Sequence, residues 1–172
     1  MPTFVSHALT MITAGALVRA RRRAIVVAIA CATLPDLDVI AYSFGVHWDS
    51  MLGHRGITHT LVFALALGPL AAWLGFPAAP LRERLWLAAA FAAATFSHAI
   101  LDAFTNGGLG IPFFWPLDDT RYFMPWQPLE VSPFLGGFFS ARGLEVAASE
   151  FLWIGLPCAA VLATLALLRR RR

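Results

Sequence analysis

Residues 85–104, LWLAAAFAAATFSHAILDAF, decide the fold. Twenty residues of helix rise about 30 Å, the thickness of a bilayer's hydrocarbon core. The stretch is apolar enough to lie in lipid. Its alanines let neighbouring helices approach closely, so it is expected at the centre of a bundle. It also carries His98 and Asp102, which are spaced i,i+4 and so share one helix face. An ionisable residue at the bilayer centre costs about 2.5–3.5 kcal/mol on insertion scales, so such residues mark function by default.

Outward from this segment, residues 57–76 form a second stretch of spanning length, closed by Gly75 and Pro77. Residues 151–168 form a third, closed by Arg169 to Arg172, with Gly155 and Pro157 as expected kink points. The first 46 residues are less regular. Residues 7–18 are too short to span alone, and 24–46 are interrupted by Pro35, which removes a helical hydrogen bond and clashes with the preceding turn. Irregular backbone at membrane depth persists only where protein buries it or where it lines a cavity. A half-length or re-entrant first helix is therefore expected, then an arginine-rich turn, then a helix broken at Pro35 with Asp36 and Asp38 at the break. The fold class is all-α: a polytopic membrane helix bundle of about four to five segments, forming a single domain over residues 1–172. Residues 106–150 are rich in Gly, Pro and aromatics and are expected as one long non-helical outer loop. Trp115, Tyr122 and Trp126 suit an interfacial belt or a lid there.

Composition fits this reading, with 59% hydrophobic and 13% charged residues. All 13 basic residues are Arg, and ten of them fall in three clusters: Arg19 to Arg23, Arg82 with Arg84, and Arg169 to Arg172. In a soluble protein a basic balance would point to nucleic acid. Here the clusters abut apolar segments and act as orientation signals, so no nucleic-acid partner is expected. With all three clusters in the cytoplasm, the C-terminus lies inside and residues 106–150 lie outside, where five acidic residues face two Arg. Cys31 and Cys158 sit in separate apolar runs and read as small hydrophobes.

Helical rise then sets depth. His7, Asp36, His59, His98 and Asp102 each lie roughly 18–26 Å from the arginine end of their segments. They fall in one layer, beyond the midplane and toward the outer leaflet. His54, His59 and the pair Asp36 and Asp38 complete the set of metal-ligand residues. His54 and His59 cannot face one metal from regular helix, but Gly56 permits a turn that brings them together. Plainer readings exist for each motif. His98 and Asp102 can be a bundle-stabilising hydrogen bond, Asp36 and Asp38 can be helix caps, Thr58 can cap the next helix, and His7 can be an ordinary terminal residue. Capping alone does not explain two carboxylates at membrane depth. Arg55 and Arg121 are the arginines offered to an anionic substrate group, because guanidinium matches phosphate bidentately.

The ordered set of His7, Pro35-Asp-Leu-Asp38, His54-Arg-Gly-Ile-Thr-His59, Ser97-His-Ala-Ile-Leu-Asp102 and the segment from Trp115 to Pro125 resembles the LexA-regulated, inner-membrane metal-dependent hydrolases of the YdjM type. The resemblance covers roughly residues 1–135 and implies a metal site and a bacterial inner-membrane location more firmly than a reaction. The ligand order is also loosely similar to that of zinc-dependent phospholipase C. The late zinc-binding His motif of those enzymes has no counterpart after Asp102.

Imidazole and carboxylate with no thiolate pair suit zinc first, with manganese or iron as alternatives, as one or two ions. His7, Asp36, Asp38, His54, His59, His98 and Asp102 are the expected metal residues. Asp36 and Asp38 are the expected catalytic ones, one of them serving as base. The expected function is membrane-bound, metal-dependent hydrolysis of a lipid or other amphipathic phosphoester near the outer leaflet, with the site on the periplasmic side. The alternative is a metal-binding transporter or sensor. A transporter would carry polar residues on toward the cytoplasmic side, where these segments are apolar.

Overall fold

The computed structural model describes residues 1–133 and 139–170. Arg171 and Arg172, and the part of the expected outer loop at 134–138, lie outside the described residues. Helix α1 (Phe4–Leu17) runs into a turn where Arg19 adopts a left-handed φ of 54°. Helix α2 (Arg22–Thr33) follows and continues as a 3-10 helix over Leu34–Phe44. Tightening begins where expected, at the proline. Pro35 cannot donate to the ladder, and the chain is overwound from the residue before it. Gly45, at φ 78°, closes the segment by donating to the carbonyl of Tyr42.

Helix α3 (Leu61–Gly75) starts four residues later than its apolar run suggests. Residues 51–56 form turns and Ile57–His59 a single 3-10 turn. The cap is Thr60, whose hydroxyl accepts from Phe63 N–H at 3.1 Å. Thr58, the expected cap, instead donates to Asp38 Oδ2 at 2.7 Å. Helix α4 (Leu81–Ala103) pairs with α3 through small residues. The buried face of α3 is Ala64, Gly68 and Ala72, one residue per turn. A Cβ on Gly68 would stand 2.5 Å from the carbonyl oxygen of Ala88, so the two backbones touch there.

The last segment corrects the expected loop. Helix α5 (Ala141–Glu150) is regular helix, capped at Ser140, and buries Gly143, Val146 and Glu150 along one face. A π-helical turn (Phe151–Gly155) joins it to α6 (Leu156–Arg170), just before the proline at 157 whose missing N–H disrupts regular pairing. Among the described residues, 104–133 and 139–140 remain as the connection between α4 and α5, and the last helix is correspondingly longer than its apolar part.

Three helices are long and apolar enough to cross a membrane: residues 22–44, 81–103 and 141–170. α1 and α3 are shorter apolar helices. The outward faces carry Val5, Leu65, Trp86 and Leu152, the surface expected of a bundle in lipid. The described arginines of the three clusters gather at one end. Arg21 pairs with Glu83 at 3.3 Å, and Arg169 donates to the Ala16 carbonyl at 2.6 Å. Next to that end the core is apolar, built on Met11, Cys31, Ala72, Phe76, Phe91 and Ala94.

Candidate metal centre

At the opposite end, helices α1 and α4, the 3-10 segment and the turn before α3 bring His7, Asp36, His59, His98 and Asp102 together. Asp36, His59, His98 and Asp102 each present one ligand atom, all within 4.8 Å of one another. His98 Nε2 lies 3.0 Å from His59 Nε2 and 3.3 Å from Asp36 Oδ1. His59 Nε2 lies 3.7 Å from Asp102 Oδ2. Ligand atoms about 2.0–2.1 Å from a tetrahedral zinc stand about 3.3 Å apart, so these spacings suit one ion.

The tautomers favour the same conclusion. His98 Nδ1 donates to the Ala32 carbonyl at 2.8 Å, at the end of α2. His59 Nδ1 donates to the Thr58 hydroxyl at 3.0 Å and faces Asp38 Oδ2 at 3.4 Å. With both Nδ1 atoms protonated, both Nε2 atoms present lone pairs to each other. Two lone pairs 3.0 Å apart repel unless a proton or a cation lies between them. Ligating histidines are commonly held in this way, by a carboxylate or carbonyl on the other ring nitrogen.

Unpartnered atoms mark the same place. His7 Nδ1 and Nε2, Asp36 Oδ1 and Asp102 Oδ1 are buried with no hydrogen-bond partner. Such groups are costly when dry and are rarely left unpaired in native proteins. The His7 ring stacks on His98 with centroids 4.0 Å apart, and its Nε2 lies 3.8 Å from Asp102 Oδ1. The chemistry of the donor set and these orphaned atoms fit a divalent cation held by imidazole and carboxylate.

Asp38 stands apart from the four. Its Oδ1 accepts from His54 Nδ1 at 2.8 Å, and its Oδ2 accepts from Thr58 and from the Arg55 N–H at 3.3 Å. It therefore braces the whole 54–59 turn. Asp38, His54 and His59 also form a second close group of possible ligands. The turn expected at Gly56 is present, and a Cβ there would stand 2.1 Å from the Met51 carbonyl oxygen.

Arg55 and Arg121, the arginines offered to an anionic substrate group, are both engaged with protein partners. Arg55 is wholly buried, with φ 61°. Its Nε donates to Asp102 Oδ2 at 3.1 Å, its Nη1 to the carbonyls of Gly107 and Leu109, and its Nη2 to the Thr105 hydroxyl. Arg121 donates to the carbonyls of Arg55, Gly110 and Asp49. Partial burial lowers its pKa, but it stays a cation. Both guanidinium groups tie the connection after α4 to the 54–59 turn and to α4. His47 pairs with Asp49 at the exposed rim, away from the cluster.

One participant is not legible in sequence. Glu150 accepts from Thr3 N–H at 2.7 Å, from the Thr3 hydroxyl at 2.5 Å and from the Ser6 hydroxyl at 2.6 Å. It clasps the start of α1 to the last helix and so fixes His7. An acidic residue beside an apolar run was the available signal. Beside the cluster, a cavity of about 380 Å³ is bounded by Val39, Tyr42, Trp48 and Leu109, with His54 and Arg55 in its wall.

The family model described as YdjM inner membrane protein matches residues 1–172. Inner membrane protein YbcI of Escherichia coli (strain K12) is 37% identical over 164 residues, covering 91% of this chain and 92% of that protein. No solved structure matches.

Proposed function

The chain belongs to the YdjM inner membrane protein family, and from that membership and its buried His–Asp cluster we propose that it is a metal-dependent hydrolase of a lipid or other amphipathic phosphoester. The observation that carries the reading is the pair of facing imidazole nitrogens, 3.0 Å apart amid orphaned carboxylate oxygens. Asp36, His59, His98 and Asp102 would hold the ion, zinc first by donor type, with His7 beside Asp102 as a further ligand. When bound, the ion supplies Lewis-acid polarisation and a water of lowered pKa.

The protein's own groups divide the remaining work. Asp36 is the most accessible of the four carboxylate and imidazole side chains, at 13% exposure, which supports a role in taking up a proton. Asp38 orients His54 and His59. The apolar walls of the adjoining cavity suit the hydrocarbon part of an amphipathic substrate, and its volume falls in the usual range for small-molecule sites. Among the described residues, the core between the cluster and the arginine end is built mainly on apolar side chains, which favours an enzyme over a transporter.

The test is elemental analysis of the detergent-purified chain, with and without His98→Ala. It is paired with assays on phospholipids and polyprenyl phosphates in added zinc or manganese. Bound metal and turnover are both expected to be lost in His98→Ala. Turnover that survives both that substitution and stringent chelation sinks the mechanism. Stoichiometric metal with no turnover of any substrate moves the reading to a sensor.

A further inference from the structure

The arginine end holds a second feature, independent of the His–Asp cluster. An apolar groove of about 630 Å³ runs between α1, α2 and α4, with Met11 and Phe91 in its floor and Ala24, Ala28, Ala90 and Ala93 along it. A second, more open hollow of about 600 Å³ adjoins it and is rimmed by Arg19 and Arg169. The two share Gly15, Ala20 and Ile25, so they form one continuous depression. Gly15 and Ile25 form the wall common to both, packed so closely that a Cβ on Gly15 would stand 2.5 Å from the Ile25 side chain.

Charge at the mouth is one-sided. Glu83 lines the apolar groove but is paired with Arg21. Among the described residues, neither Arg19 nor Arg169 has a carboxylate partner. Arg169 spends one donor on the Ala16 carbonyl, which fixes its guanidinium across the mouth. Arg19 is exposed, on a left-handed backbone. An apolar slot between candidate membrane helices, opening beside two guanidiniums without carboxylate partners among the described residues, matches one chemistry. It wants an acyl chain joined to an anionic phosphate.

We propose that this groove binds an acidic phospholipid as a resident, non-substrate ligand, with an acyl chain along α1, α2 and α4 and the phosphate at Arg19 and Arg169. Such a lipid would brace the half-length helix α1 against its neighbours.

The full chain, purified in a neutral detergent, is titrated with phosphatidylglycerol or with phosphatidylcholine. Melting temperature and native mass spectrometry are followed together. Phosphatidylglycerol is expected to raise the melting temperature and to remain as a one-lipid adduct, while phosphatidylcholine does neither. Arg19→Gln combined with Arg169→Gln should weaken retention by about tenfold or more. Ala93→Phe, which fills the groove and leaves the arginines in place, should also reduce it. Equal responses to the two lipids, or unchanged retention in the double arginine variant, overturn the proposal. So does a two-chain mass in place of the lipid adduct, which would give the groove to a second copy.

Discussion

Asp38 and Arg55 do their work through other residues. Asp38 holds His54, Thr58 and the Arg55 N–H, and through Thr58 it fixes the His59 ring. Asp38→Asn keeps the shape but cannot accept from all of these donors. Metal affinity should fall by about 10–100-fold, the usual effect of losing an outer partner of a ligating histidine. Competitive chelator titration measures it, and unchanged affinity would show that the turn is held without Asp38. Arg55 is the neutralising partner of Asp102. Arg55→Met leaves that carboxylate buried and uncompensated, which should destabilise the metal-free protein by about 3–5 kcal/mol in detergent unfolding. Added zinc should recover part of the loss, because a cation at the cluster also neutralises Asp102. Arg55→Lys should not rescue it, since a single ammonium cannot reach Asp102, Thr105 and two carbonyls at once. The grouping of His7, Asp36, His59, His98 and Asp102 was legible because helical rise converts sequence spacing into depth. The engagement of Arg55 was not legible, because it depends on loop carbonyls at 107 and 109 whose positions no periodicity fixes.

Among elements, the α3–α4 pair carries the bundle and depends on one glycine. Gly68→Val puts a branched Cβ where even a methyl meets the Ala88 carbonyl and the Ala92 amide at 2.5 Å. Backbone atoms cannot swing aside as a side chain can, so the helices must part. A loss of about 1–3 kcal/mol or more is expected, read as a lower melting temperature in detergent. Gly75→Ala is the control. Its Cβ would make only ordinary contact with Val27 at 3.5 Å, so the melting temperature should hold or rise. If both substitutions behave alike, close backbone approach at Gly68 is not what matters. Helix identity came readily from apolar length, and the break at Pro35 from proline's missing donor. Boundaries came less readily, where polar residues continue a helix. Residues 141–150 are helical on an amphipathic pattern too short and too charged to stand out from the loop before it. The start of α3 is displaced because His59 is held by Thr58 and Asp38, in a turn that regular helix would not allow.

For the whole molecule, the open quantity is sidedness. The described arginines of all three clusters lie at one end of the bundle and the His–Asp cluster at the other, so orientation alone decides which compartment the site faces. Arginine next to apolar segments is retained on the cytoplasmic side during insertion, and here no loop at the opposite end carries a competing cluster. A reporter fused after residue 172 should therefore read cytoplasmic. The same reporter inserted between Asp119 and Thr120, both exposed in the connection between α4 and α5, should read external. Replacing Arg19, Arg21, Arg22 and Arg23 with Gln should mix the two readings, because it removes the signal that fixes the first helices. The consequence reaches the chemistry. An external reading gives the 380 Å³ cavity access to the outer leaflet, and to amphipathic substrates presented there. The opposite reading turns the cavity toward the inner leaflet, leaves the His–Asp cluster intact, and removes the argument for outer-leaflet substrates.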